Sequence, residues 1–202
     1  MNALRKEIES DLGTNSWILE LNDDPFFEFF SNREFILHSP HVNQAVLLFN
    51  TALNFLDDIP EDDRRELHVL AGDYLFSKFY MILAEHEEYR VLQDMMDISK
   101  ALSSKKSELA MSDDIPHPEE LKRLLYGPIL YLISNEYIDR RLNDVIDRQL
   151  EQLDITSLPY INQKQRWVEW IKRKKFKTYL ILLVASLGAA EIQAQVVISE
   201  LM

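Results

Sequence analysis

The residues most able to do chemistry lie together in Asp57-Asp58-Ile59-Pro60-Glu61-Asp62-Asp63-Arg64-Arg65. Carboxylates clustered at a helix end can hold Mg²⁺, a hard cation that keeps several waters and bridges to diphosphate oxygens. Asp57, Asp58 and Glu61 are the candidate metal ligands. Arg64 and Arg65 beside them suit a diphosphate, which guanidinium groups grip through paired hydrogen bonds. A charged loop after a helix is also an ordinary solvated surface, so these residues alone leave both readings open.

The elements that must position this string read as helices. Only four glycines, few β-branched runs and abundant Leu, Glu, Asp and Lys predict an all-α bundle with proline-marked connections. Asp24-Pro25 and Ser39-Pro40 each read as an N-cap followed by proline at the first helical position. They open a short helix over 26–33 and a longer one over 40–56. In the longer one Val42, Ala45, Val46, Phe49, Ala52, Leu53 and Leu56 share a face. After Pro60 a helix resumes near Arg64 and runs through Glu85. It is apolar on most of its circumference from Val69 to Leu83, which predicts burial at the bundle centre. Helices over about 87–111 and 118–153 follow, the second kinked at Gly127-Pro128. A last helix or helix pair is expected from Asn162 onward. With 202 residues, 47% of them hydrophobic, one domain over 1–202 is expected.

Several function classes fall on composition. The chain has no cysteine, which excludes thiolate catalysis and cysteine-bound zinc and suits a reducing cytoplasm. A formal charge of −12 opposes binding to phosphate backbones, so no nucleic-acid partner is expected. Residues 1–12 lack the apolar core of a signal peptide, and the apolar run 179–190 falls short of the ~20 residues of a spanning helix. His38, His41, His68, His86 and His117 form no zinc-ligand spacing. No phosphate-binding glycine loop, dinucleotide fingerprint or serine-hydrolase elbow is present. The run Lys172-Arg173-Lys174-Lys175-Phe176-Lys177, preceded by Trp167 and Trp170, reads as a solvated basic face, with peripheral contact to anionic lipid as the alternative.

Two strings carry a family resemblance. Leu70-Ala71-Gly72-Asp73-Tyr74-Leu75 with Phe79 and Leu83, placed after the carboxylate string and its arginine pair, resembles the trans-polyprenyl diphosphate synthases. Further on, Phe176-Lys177-Thr178-Tyr179-Leu180 followed by Ser186-Leu187-Gly188-Ala189 is similar to the Lys-Thr and Gly-Ala segment of the same family. Together the strings cover under a quarter of the chain. The resemblance implies a truncated isoprenoid synthase fold, with Arg64, Arg65 and Lys177 facing diphosphate. It also implies that Phe49, Ala52 and Leu53, one and two turns before the box, face a prenyl tunnel or a partner, together with Gly72.

The departures shape the expected function. A working first box has aspartate at its fifth position, where Glu61 stands here after an intruding Pro60. Only Glu66 to Ala71 separate Arg65 from Gly72, a shortened loop, and no aspartate pair follows Ala190. Ionising an allylic diphosphate needs a Mg²⁺ cluster between two facing boxes. The pattern is therefore similar to the small subunit, component one, of the heterodimeric bacterial hexaprenyl and heptaprenyl diphosphate synthases. That resemblance implies a non-catalytic accessory chain in menaquinone side-chain synthesis from farnesyl and isopentenyl diphosphates. It would hold no cofactor firmly, its catalytic large subunit would carry the Mg²⁺, and its apolar helices would shelter the growing prenyl chain, each buried CH₂ being worth ~0.8 kcal/mol. The rival expectations are a minimal Mg²⁺-dependent prenyltransferase or diphosphatase, in which Asp57, Asp58 and Glu61 still bind metal, and an acidic helical adaptor.

Overall fold

The computed structural model describes residues 3–14, 26, 29–30, 34–112 and 114–161. The expected helix from Asn162, the Lys177 segment and the basic run with Trp167 and Trp170 lie outside them, as does Asp24-Pro25. Among the described residues six α-helices have defined limits: α1 (Ala3–Leu12), α2 (Pro40–Asp57), α3 (Arg65–Glu85), α4 (Tyr89–Met111), α5 (Pro118–Ser134) and α6 (Leu142–Gln152). A 3₁₀ turn at Ile155–Ser157 follows. The fold is all-α, and among the described residues the only β-type pairing is an isolated bridge between Ile36 and Ile138. No helix among them is long and apolar enough to cross a membrane. Phe26, Phe29 and Phe30, from the short helix expected over 26–33, are helical and buried.

The centre of the bundle is α2. Val42, Ala45, Val46, Leu47, Leu48, Phe49 and Ala52 are all buried, so α2 is enclosed by neighbours on more than the single face its spacing predicts. Phe49 meets Phe79 at 4.4 Å between ring centroids and Phe76 at 5.2 Å. Each such ring or aliphatic side chain removed from water contributes ~1.5–3 kcal/mol. The expectation that α3 occupies the centre is corrected. It packs Ala71, Gly72, Leu75, Phe79 and Leu83 inward, but Leu70, Ser77, Tyr80, Met81 and Ala84 are exposed. Apolar composition around the circumference did not distinguish a helix enclosed by its own chain from one with an uncovered side.

Gly72 lets α2 and α3 approach. A Cβ added there would lie 2.4 Å from Leu56 Cδ2 and 2.6 Å from Leu56 Cγ, well inside van der Waals contact. A second apolar cluster, Leu102, Leu109, Leu121, Leu124, Leu125, Leu158, Tyr160 and Ile161, fills the space where α4 and α5 pass the end of α2.

Two helices close in the same way, α3 at Glu85 as the sequence predicts and α5 at Ser134 where it does not. Glu87 and Glu136 adopt left-handed backbone at φ 56 and φ 60. Glu88 N–H then donates to Leu83 C=O at 2.9 Å, and Tyr137 N–H to Leu132 C=O at 2.9 Å. These six-residue closures normally carry glycine at the left-handed position. With glutamate there, the stop at Ser134 left no composition signal, and the helix expected over 118–153 is two helices, α5 and α6. The kink of α5 sits at Tyr126, φ −128 and ψ 17, just before Gly127-Pro128. Ser39 is also not the expected cap. Its backbone is left-handed at φ 47, and its side chain makes no cap hydrogen bond but lies 3.2 Å from His38 Nδ1. The Ser39 carbonyl accepts from Val42 N–H at 3.0 Å and Asn43 N–H at 3.2 Å, and the Asn43 side chain ties the preceding turn to α2, donating from Nδ2 to the His38 carbonyl at 2.8 Å and the Ser39 carbonyl at 3.1 Å.

Candidate functional site

The carboxylate string occupies the end of α2 and the turn into α3. Asp57 is the last residue of α2, where α4 and the segment around Tyr160 close over it. Lys106 reaches from the penultimate turn of α4 and donates from Nζ to Asp57 Oδ2. The Lys106 side chain is 11% exposed and that of Asp57 28%. The ammonium also lies 5.3 Å from the Tyr160 ring centroid, on the face where the ring quadrupole attracts a cation.

Burial pushes the Asp57 carboxyl up from the usual carboxylate range, and neighbouring Asp58 adds to that; Lys106 pulls the other way without cancelling it. Burial outweighs the ion pair here because a desolvated carboxylate has lost the water that stabilised its charge. Tyr160 contributes a buried hydroxyl with no hydrogen-bond partner among the described residues. One turn back on α2, Asn54 Nδ2 donates to the Leu125 carbonyl at 2.8 Å, tying α2 to α5 just before the kink.

The remaining residues of the string do not converge on Asp57. Asp58 and Glu61 are exposed. Arg64 is folded back onto Asp62, its Nε 2.9 Å from Oδ2 and its second terminal nitrogen 2.7 Å from the same oxygen. That guanidinium holds the Asp62 carboxyl below its usual range. Arg65 is exposed at the start of α3. Among the described residues no group of three or more His, Asp or Glu side chains is arranged to hold a metal ion. The donor set does not fit a Mg²⁺ cluster, since the most buried carboxylate already faces an ammonium and the others point to solvent.

Of the residues assigned to a tunnel or partner, Phe49, Ala52 and Gly72 are buried in this chain's own core, and Leu53 is half-buried between the two clusters. Packing within the chain covers the first three. A shallow groove of about 630 Å³ runs between α4 and α5 over Ile98, Leu102, Gly127 and Leu130, with Arg123 at its edge, and none of the four tunnel candidates lines it.

Sequence reasoning missed Lys106 and Tyr160. The signal for Lys106 was present: Met95, Leu102, Lys106 and Leu109 lie at seven-, four- and three-residue steps on the buried face of α4. A lysine there needs a buried anion. The histidines serve as structural contacts. His68 donates from Nε2 to the Phe55 carbonyl at 2.7 Å, satisfying an end carbonyl of α2, and stacks on the Phe55 ring at 3.6 Å. His41 stacks on His86 at 4.2 Å and hydrogen-bonds Glu88 at 2.7 Å.

No model of a known protein family, no characterised protein and no solved structure matches the chain.

Proposed function

We propose that this chain is the non-catalytic accessory subunit of a heterodimeric trans-long-chain polyprenyl diphosphate synthase. The observation supporting this reading is the occupation of Asp57 by Lys106. The position that would begin a metal-binding box is paired with a fixed internal cation. An ammonium neutralises one carboxylate but offers no open coordination positions for diphosphate oxygens, so it cannot replace a Mg²⁺ cluster in ionising an allylic substrate.

In this reading a large subunit with two intact aspartate boxes binds Mg²⁺ and both substrates. The present chain contributes apolar helical surface to a cytoplasmic complex making a hexaprenyl or heptaprenyl precursor of menaquinone. The test is reconstitution. The purified chain is expected to show no condensation of isopentenyl with farnesyl diphosphate, and addition of the large subunit to give long-chain product. Turnover by the isolated chain would instead favour the minimal Mg²⁺-dependent enzyme. Failure of the synthase subunit to bind would favour the acidic adaptor.

A further inference from the structure

The uncovered side of α3 is the most unusual surface of the described residues. Glu66, Leu70, Asp73, Ser77, Met81 and Ala84 recur at three- and four-residue steps, so they form one strip, ~27 Å long at 1.5 Å per residue. All six are exposed, with Leu70 at 64% and Met81 at 54%. Both flanks are fixed. On one side α1 is held to α3 by Asp11, which accepts from the Tyr74 hydroxyl at 2.6 Å and pairs with Lys78 at 3.0 Å. On the other, the Tyr80 hydroxyl rests 3.0 Å from Met96 Sδ of α4. The strip thus lies between α1 on one side and α4 on the other.

Its charge pattern indicates what fits it. Glu66, Asp73 and Glu85 make no ion pair among the described residues, and neither does Glu87 just beyond α3. Lys78, the lysine within α3 itself, is engaged with Glu7 and Asp11 of α1. Exposed Leu70 and Met81 alternating with Glu66 and Asp73, with Glu85 and Glu87 at the far end, form a surface complementary to a helix that carries apolar groups beside cations. It repels a second copy of the same acidic strip. Ser77 and Ala84 are small and seven residues apart, which allows a helix to approach within the 8–10 Å of close packing.

We propose that this α3 strip docks a helix of a partner protein, one whose apolar stripe is flanked by lysine or arginine. The identity of that partner as the catalytic synthase subunit rests on the accessory-subunit reading above; the strip and its charge do not. Because Leu70 and Met81 already face water, Leu70→Glu with Met81→Glu leaves the fold intact, which circular dichroism and the melting curve verify.

The experiment measures binding of the full chain to the synthase subunit carrying both aspartate boxes, encoded by the same genome, by sedimentation and surface-bound kinetics. The double variant is expected to weaken the complex ~100-fold or more, as for a charge buried at an interface centre. Glu66→Lys with Asp73→Lys is expected to slow association ~10-fold at low salt, and Ser104→Glu on α4 to change nothing. Undiminished binding by the Leu70/Met81 variant overturns the docking surface while the accessory reading stands. No binding by the unaltered chain overturns both. A dimer of this chain alone that the same substitutions dissolve assigns the strip to a second copy and overturns the stated partner.

Discussion

Replacing Lys106 by methionine removes the cation that faces Asp57 while keeping most of the side-chain volume. Breaking a fully buried ion pair costs ~3–5 kcal/mol, and an exposed one contributes ~0–1 kcal/mol. With side-chain exposures of 11% and 28%, the Lys106–Asp57 pair lies between these limits. Lys106→Met is therefore expected to lower the unfolding free energy by ~2–3 kcal/mol at neutral pH. Asp57→Asn alone leaves a nearly buried ammonium and is expected to cost a similar amount. The double variant, with neither charge, is expected to lose less than ~1 kcal/mol, giving a coupling of ~4 kcal/mol.

The pH dependence has a definite sign. Burial already raises the Asp57 carboxyl in the folded chain, and loss of Lys106 raises it further. A group that binds its proton more tightly when folded supports folding below its unfolded value, ~3.9 for aspartate, and that support is lost as pH rises through the folded value. The deficit of Lys106→Met should therefore shrink towards about pH 4 and be largest at neutral pH. Urea unfolding of the four proteins at acid and neutral pH measures this. A neutral-pH deficit below ~0.5 kcal/mol, or additive single and double variants, would refute the internal-cation argument.

Gly72→Ala gains ~1 kcal/mol of helix propensity but drives a methyl into Leu56, an overpacking cost of ~1–3 kcal/mol. Because Leu56 Cγ as well as Cδ2 would be struck, a simple rotation of the side-chain tip gives no relief. A net loss is expected in thermal unfolding, with Leu56→Ala relieving it in the double variant. Glu136→Gly places glycine at the left-handed residue that closes α5 and is expected to stabilise by ~0.5–1 kcal/mol in urea unfolding, since a Cβ there is strained. Asp11 is held below its usual range, chiefly by the Tyr74 hydroxyl and then by Lys78. A carboxyl lowered in this way supports the fold above its unfolded value, and the support is lost as pH falls through the folded one. Amide protection of α1 should accordingly fall below about pH 4, and Asp11→Asn should reduce that dependence, the rest coming from the Glu7–Lys78 pair.

Helix type and approximate limits were legible because apolar residues recur at three- and four-residue steps through α2, α4 and α5, and because Pro40 and Pro118 mark helix starts. The breaks that sequence missed are local. Glu136 takes a left-handed backbone that glycine normally announces, so the turn between α5 and α6 was invisible. Ser39 takes a left-handed backbone, and its side chain makes no cap hydrogen bond. At the candidate site the carboxylates were recognisable, but their meaning depended on a lysine 49 residues away. Lys106 stood in plain view on the apolar face of α4, yet pairing it with Asp57 required knowing that α4 crosses the end of α2. The apolar residues of α3 were read as core for a similar reason: a side covered by the chain itself and a side left open have the same composition.

The most direct test of a non-catalytic box is steady-state chain elongation by the heterodimer carrying this chain with Asp57→Asn, Lys106→Met, Asp58→Asn and Glu61→Gln. The paired change at 57 and 106 keeps the fold without leaving a buried charge. An unchanged turnover rate and product length are expected, because the proposed accessory role assigns the metal chemistry to the large subunit. A fall in rate on the order of 10²-fold or more, the scale on which electrostatic transition-state stabilisation is lost, would contradict the account and place these carboxylates in the reaction.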